Sequence, residues 1–326
     1  MAKYSMIAGT GSYFPKKILS NKDLEKLVET SDEWITSRTG IKERHIAGDE
    51  KTSEMAFNAS INALEMAKLP QTDIDGVICA SVTQDTILPS LSCMLQDKLS
   101  IGGKSFAFDV EAACTGFIYA CSIADAMIKT GMANNILVVG VEKLSAYVDW
   151  DDRSTCVLFG DGAGAAVISA ADKPGFRSFN LSADGKYKDL LTIENLGINY
   201  LADLSNRKKE DNYIKMKGND VFKVAVKAMS DYTVLAIKNS GLASCEIDYF
   251  IPHQANLRII DAAAKRAHIA KEKVIITLDK YGNTSAASIP TALDLFIRNG
   301  TIKKGCNIVS SAFGGGLTWG AMVYTI

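Results

Sequence analysis

Short runs of β-branched and small apolar residues alternate along the chain with longer segments whose apolar positions recur every three or four residues. The short runs predict strands at 75–82 (DGVICASV), 104–110 (KSFAFDV), 134–142 (NNILVVGVE) and 162–169 (GAGAAVIS). Helical periodicity covers 53–69, with Ser53 as N-cap, and 114–131, closed by Gly131. A long amphipathic helix follows at 219–241, opening near Asn219 and ending at Gly241. Between about 184 and 215 Lys, Glu and Asp displace the apolar pattern, which predicts a loop or cap region. Strands alternating with helices in this way define the α/β class.

The pattern repeats itself. EIDYFIPHQAN (246–256) parallels DIDGVICASVT (73–83), and VIITLDKYGNTSAASIPTAL (274–293) parallels the strand, turn and helix around Cys114. GCNIVSSAFGGG (305–316) matches MANNILVVGVEK (132–143), and the final LTWGAMVYTI matches GAGAAVIS. A repeat this long in two copies does not make a solenoid. It predicts two α/β halves, 1–172 and 173–326, related by a pseudo-dyad, with a site between them near the strand ends.

Composition changes the picture little. The 326 residues are 47% hydrophobic and 22% charged, the balance of a globular protein with a large core. A formal net charge of −1 argues against bulk electrostatic binding to nucleic acid. No uncharged apolar run reaches the roughly 18–20 residues of a membrane span, and the first residues lack the apolar core of a secretory signal. The seven cysteines include no C-x-x-C pair, so reduced thiols and a cytoplasmic setting are expected.

Candidate chemistry is confined to few residues. Of the three histidines, His45 sits in a charged segment expected to be exposed, and His268 lies at a helix end. His253 follows the strand YFI and precedes a helix, where α/β enzymes place functional groups; satisfying the turn is the competing role. Cys114 occupies the corresponding turn of the first half, where a helix N-terminus would lower a thiol pKa. It could equally be a buried small residue, the role assigned to Cys79, Cys93, Cys121 and Cys156. Asn283 stands at the analogous turn of the second half, as a helix cap or as a donor which, with His253, faces one carbonyl oxygen. The glycines of SAFGGGLTWG (311–320) and FGDGAGAAV miss dinucleotide and P-loop spacings.

The ordered set EAACTGF, PHQANLRI, GNTSAASIP and FGGGLTWGA resembles the thiolase-fold condensing enzymes, and within them the β-ketoacyl-[acyl-carrier-protein] synthase III family, over essentially the whole chain. The resemblance implies a layered αβαβα fold and a homodimer. It implies that Cys114 accepts an acyl group from acyl-CoA, with the backbone N–H groups of Cys114 and Gly315 as oxyanion hole. His253 and Asn283 would then stabilise the enolate formed from malonyl-acyl carrier protein (malonyl-ACP), with Phe313 shielding the malonyl carboxylate. CoA thioesters are substrates on this reading, and no cofactor or metal is implied. It further assigns Thr30, Trp34, Arg38, Arg153, Phe222 and Asn256 to CoA, and Leu88, Leu144, Phe159 and Met216 to the acyl pocket. Lys223, Arg258, Lys265 and Arg266 are assigned to carrier-protein docking, although by composition these charges fit a solvated helix face. Phe313 stands where thiolases carry a second cysteine, and Asn283 where elongating synthases carry a second histidine. A Cys–His–Asn relative acting on a specialised acyl or quinolone precursor, a cysteine acyl-hydrolase and a non-catalytic paralogue are the alternatives.

Overall fold

The computed structural model describes residues 4–194 and 208–326, so part of the expected cap region, 195–207, lies outside the described residues. The chain begins with β1 (Tyr4–Tyr13), β2 (Lys17–Ser20), α1 (Asn21–Leu24), α2 (Asp32–Thr39) and β3 (Glu43–Ile46). Next come α3 (Thr52–Ala67), β4 (Gly76–Ala80), α4 (Leu91–Lys98), β5 (Phe106–Val110), α5 (Gly116–Lys129), β6 (Asn135–Lys143), α6 (Arg153–Cys156) and β7 (Asp161–Ala171). The later part holds β8 (Phe176–Ala183), β9 (Leu191–Thr192), β10 (Lys215–Met216), α7 (Gly218–Ser240), β11 (Tyr249–Pro252) and α8 (Leu257–Arg266). It ends with α9 (Leu278–Tyr281), α10 (Ser288–Arg298), β12 (Asn307–Gly314) and β13 (Thr318–Thr325).

One sheet runs β1-β7-β6-β4-β5 and the other β11-β12-β13-β8. Strand β4 lies parallel to β5 and β6, and β11 parallel to β12; the β7 and β13 pairings are antiparallel. Helices α3 and α4 cover the outer face of the first sheet, and α7 and α8 that of the second. Between the sheets lie α5 and α10, packed in a core that includes Ile78, Phe117, Ile118, Ile136, Ile251, Ile289 and Met322. These five layers match the αβαβα expectation.

The repeat holds down to single hydrogen bonds. Asp75 accepts the N–H of Asn135 at 3.0 Å and donates its own N–H to the Asn135 carbonyl at 2.9 Å. Asp248 and Asn307 repeat this exchange at 2.7 and 2.8 Å. Even the side-chain supports agree: Ser169 donates to Asn135 Oδ1 at 2.7 Å and Thr325 to Asn307 Oδ1 at 2.8 Å.

The structure departs from the expectations in six places. Strands β1 and β8 carry no clear alternation and were not predicted; they are pseudo-equivalent edge strands. In β1, Gly9 and Gly11 press against α3, where an added Cβ would meet Ala67 N at 2.4 Å and Ala59 O at 2.1 Å. The second half lacks a full counterpart of β5. Segment 274–277 makes one bridge, Phe250 to Val274, because buried Gln254 accepts the Thr277 and Leu278 N–H groups at 2.9 and 3.2 Å. Ser53 is not a cap; α3 starts after Lys51, and Asp85 accepts the Thr52 and Ser53 N–H groups. The described part of the cap region is ordered as the β9–β10 ladder flanked by 3-10 turns. Cys93 is exposed rather than buried, while His45 is half-buried in β3, bonded to the Pro15 carbonyl at 2.5 Å and near Phe14 and Tyr281.

Candidate active site

Strand β5 delivers the chain to a 3-10 turn, Ala113–Thr115, which runs directly into α5. Ala113 takes a left-handed φ of 45°, a conformation that an alanine adopts only when its surroundings hold it there. They do so from the other half. Thr318 bonds both the Thr115 hydroxyl at 2.8 Å and the Ala112 carbonyl at 3.1 Å. The end of β12 lies on the turn so closely that a Cβ on Gly314 would stand 2.6 Å from Cys114 N. Glycine there is a steric requirement.

Cys114 is 9% exposed, and Sγ lines a cavity of about 370 Å³. Among the described residues, the Gly315 N–H has no hydrogen-bond acceptor and the Cys114 N–H is bonded to no other residue, only toward its own sulfur, and Gly315 lines the same cavity. Burial pushes the Cys114 thiol up to about 12; the Ser285 hydroxyl opposes that rise and Glu142 adds to it. The expected depression by the helix N-terminus is therefore corrected, since desolvation outweighs the dipole at this position.

His253 follows β11 directly, is 1% exposed, and shares a 2.7 Å hydrogen bond through Nδ1 with Ser288 Oγ. Burial lowers its pKa to about 3, so the ring is neutral near pH 7. In the tautomer whose Nδ1 accepts from the Ser288 hydroxyl, the ring proton sits on Nε2, where it can donate onward. Asn283 is anchored by its backbone, its N–H donating to the Leu158 carbonyl at 2.9 Å and its carbonyl accepting from Gly160 at 3.0 Å. Its Oδ1 caps the Ser285 N–H at 2.9 Å, so the capping role is real. That same bond fixes the amide and leaves Nδ2 without an acceptor among the described residues. The turn 283–288 thus joins the three candidates: Asn283 opens it, Ser285 faces Cys114, and Ser288 holds His253. Neither His253 nor Asn283 lines the cavity wall itself, and Phe313 is buried near the end of β12.

The remaining candidates sort clearly. Leu144 and Phe159 line the cavity as expected, together with Val82, Leu191, Ile193 and Ile214, which the sequence did not single out. Leu88 and Met216 are not among the residues that line this cavity. Leu88 is 85% exposed, at the tip of the loop after β4, and Met216 is half-buried against the core that covers the outer face of the second sheet. The Arg153 guanidinium stacks on Trp34 at 4.9 Å and donates to the Glu29 carbonyl at 2.8 Å. Nearby, Thr30 Oγ1 is buried without a partner. Asn256 caps α8 by accepting from Arg258 N at 2.9 Å and donates to the carbonyl of exposed Arg38 at 3.0 Å. Arg258 lies 4.9 Å over the Phe222 ring. Lys223 faces Asp220 at 3.6 Å, whereas Lys265 and Arg266 are exposed on the last turn of α8.

Three residues close to the chemistry went unrecognised in the sequence: Ser285, Ser288 and Glu142. Glu142 did leave a signal, as the lone carboxylate closing the apolar strand NILVVGVE.

Family models described as 3-oxoacyl-[acyl-carrier-protein (ACP)] synthase III match residues 108–185, and, for its C-terminal part, residues 237–326. The β-ketoacyl-[acyl-carrier-protein] synthase III of Xanthomonas campestris pv. campestris is 50% identical over 98% of this chain and 97% of its own length. That of Methylococcus capsulatus is 48% identical over 98% of both chains. The crystal structure of 3-oxoacyl-[acyl-carrier-protein] synthase III from Aquifex aeolicus superposes with a TM-score of 0.92 at 47% identity, covering 99% of this chain and 100% of that one. The priming β-ketosynthase of the R1128 polyketide pathway superposes at 0.94 with 34% identity, covering 100% and 97%. With its two-sheet, five-layer architecture, this chain belongs to the 3-oxoacyl-[acyl-carrier-protein] synthase III family of thiolase-like condensing enzymes.

Proposed function

We propose that this acyltransferase condenses an acyl-CoA starter with malonyl-ACP to give 3-oxoacyl-ACP, CoA and CO2, the step that initiates fatty acid synthesis, through an acyl group carried on Cys114. The observation that carries the assignment of Cys114 is its place at an apolar cavity beside two backbone N–H groups, its own and that of Gly315, neither of which is bonded to another residue among the described ones. Such donors stabilise the tetrahedral oxyanion of acyl transfer.

In the second half-reaction malonyl-ACP loses CO2, and the electron pair of the broken C–C bond becomes an enolate. His253 Nε2–H and Asn283 Nδ2–H supply donors for its oxygen. A neutral imidazole suits this task, because decarboxylation provides the carbanion and no strong base is needed. The carbanion attacks the acyl thioester carbon, and Cys114 leaves as the sulfur anion. Phe313, buried next to this turn, would keep water from the malonyl carboxylate.

Thr30, Trp34, Arg38, Arg153, Phe222 and Asn256 would hold CoA, adenine displacing the Arg153–Trp34 stack. Lys265 and Arg266, with Arg258 and Lys223 at the neighbouring helix faces, offer cations to an acidic carrier protein. A homodimer is supported by β5, an edge strand with half-buried Phe106, Phe108 and Val110, and by exposed Ile87 and Leu88. The setting is cytoplasmic on this reading, and among the described residues no helix is long and apolar enough to cross a membrane.

Mass spectrometry of the intact enzyme and its peptides after incubation with mixed acyl-CoAs tests the assignment. Acyl mass on Cys114, followed by 3-oxoacyl-ACP and CO2 when malonyl-ACP is added, is the expected result. Release of free acid without C–C bond formation would refute it, as would condensation with malonyl-CoA as efficient as with malonyl-ACP.

A further inference from the structure

Glu142 is the deepest unexplained polar group near the chemistry. It is 0% exposed at the end of β6 and forms no salt bridge among the described residues. Thr83 Oγ1 donates to its Oε2 at 2.6 Å, with Val82 N at 3.2 Å and Ser81 Oγ at 3.3 Å on the same oxygen. The second oxygen, Oε1, is directed at the other half of the molecule and accepts from Ser285 Oγ at 3.1 Å. Ser285 is 3% exposed, lines the cavity, and faces Cys114, whose thiolate its hydroxyl favours. Carboxylate and hydroxyl are thus hydrogen-bonded, and hydroxyl and thiol face the same cavity, the one proposed to receive the acyl group.

We infer that Glu142, acting through the Ser285 hydroxyl, is the proton acceptor for Cys114 when the enzyme is acylated. In this role Glu142 is a positioning residue: it touches neither sulfur nor acyl group, but it orients the Ser285 hydrogen and holds the proton. At rest the Ser285 hydroxyl donates to Glu142 and leaves its lone pairs toward Cys114. As the S–C bond to the acyl carbon forms, the S–H proton passes to Ser285 Oγ and the Ser285 proton passes to Glu142 Oε1. CoA departs with the electron pair of its broken C–S bond and takes a proton from solvent. In condensation Sγ leaves as the anion, and the same row returns the proton from Glu142, restoring the resting enzyme.

The electrostatics favour this acceptor over the imidazole. Burial raises Glu142 to about 7 against the lowering influence of Thr83, Val82, Ser285 and Ser81, whereas burial drives His253 down to about 3. Near neutral pH a group at about 7 takes a proton far more readily than one at about 3. The titratable groups that feel its charge are Cys114 and Tyr147. Lys143, next on the strand, turns away to the Glu50 carbonyl at 2.8 Å, and Asp85, beyond β4, is held at the start of α3. Among the described residues, no cation is paired with the carboxylate.

The inference rests on Cys114 being the acyl acceptor, and the test separates the two. Acyl incorporation at the Cys114 peptide is timed by quench-flow and mass spectrometry with acetyl-CoA between pH 5.5 and 9. In the wild type the rate climbs as Glu142 ionises and levels above about pH 7. Glu142→Gln and Ser285→Ala should each acylate about 10²-fold more slowly at pH 8 and lose the levelling, the rate rising with hydroxide instead. Glu142→Asp should restore the inflection in part, which a purely structural contact would not do. Melting curves confirm that each variant is folded, and Ser285→Ala decides if Glu142→Gln is not. Label on Cys114 with wild-type rates and profiles in the variants would overturn the relay alone. Absence of label from wild-type Cys114 would overturn the acyl-acceptor assignment and the relay with it.

Discussion

Gly140 lies in the middle of β6, where the first sheet passes beneath the turn that follows Asn283. A methyl group at this position would stand 2.3 Å from the Ala286 carbonyl oxygen and 2.8 Å from its carbon, whereas ordinary contact begins near 3.4 Å. Strand β6 is paired on both sides, to β4 and β7, so it is the turn that gives way. The required retreat is about 1.1 Å, read from the oxygen contact. Ala286 sits beside Ser285 and three residues past Asn283, so Gly140→Ala moves the proposed enolate donor and the Glu142 partner together. A misplacement of about 1 Å in a reacting constellation costs on the order of 10²-fold in rate. Overpacking of this kind typically costs about 1–3 kcal/mol of stability. The assay is steady-state formation of 3-oxoacyl-ACP, with thermal melting beside it. The control is Gly102→Ala, where an added Cβ meets nothing within 4 Å. Wild-type kcat and an unchanged melting temperature in Gly140→Ala would refute the claim that this contact holds the turn in register.

Other expectations concern single groups. His253→Ala or Asn283→Ala should slow malonyl decarboxylation by about 10²–10³-fold per donor removed while sparing acylation of Cys114 more. Equal loss of both half-reactions in folded variants would remove their assignment to the second step. Glu142 also makes stability depend on pH. Its pKa is raised from 4.5 to about 7 on folding, so the native state binds more protons than the unfolded chain between those values. Stability relative to Glu142→Gln therefore falls as pH rises through that window, by an amount of up to about 3 kcal/mol, and is flat above it. Denaturant melts of both proteins at pH 5 and pH 8 read this difference directly, and a pH-independent gap would contradict it.

Much of this fold is written in local pattern. The strands that alternate or run apolar without interruption, and the helix ended by Gly241, follow from periods of two and 3.6 residues and from cap chemistry. Strand β1 escapes because its glycines answer to α3, about fifty residues on in the chain, rather than to any neighbour in sequence. The missing fifth strand of the second half escapes for a related reason: the side chain of Gln254 satisfies backbone groups that a strand partner would otherwise take. In the site, Cys114 and His253 are legible because each follows a strand and precedes a helix, and Asn283 because the repeat aligns its turn with that of Cys114, although the short helix α9 rather than a strand leads into it. The cavity wall is less so. Leu191, Ile193 and Ile214 reach it from a segment whose charge pattern advertises only a loop, while Leu88 and Met216 are not among the residues that line it. The thiol pKa could not be read from the helix start alone, since the dominant influence is the packing that removes water from Sγ.

The seam between the halves has a consequence for how competence arises. Thr318 of the second half bonds Thr115 of the first, Gly314 rests on Cys114, and Ser285 completes the surroundings of Glu142. On the proposed roles, neither sheet contains a working fragment of the site: one holds the proposed nucleophile without its second backbone donor, the other the proposed paired donors without a thioester to serve. Activity regained by a refolding chain would therefore report the docking of two finished layers, and a chain with either layer alone would be silent, however native its own sheet.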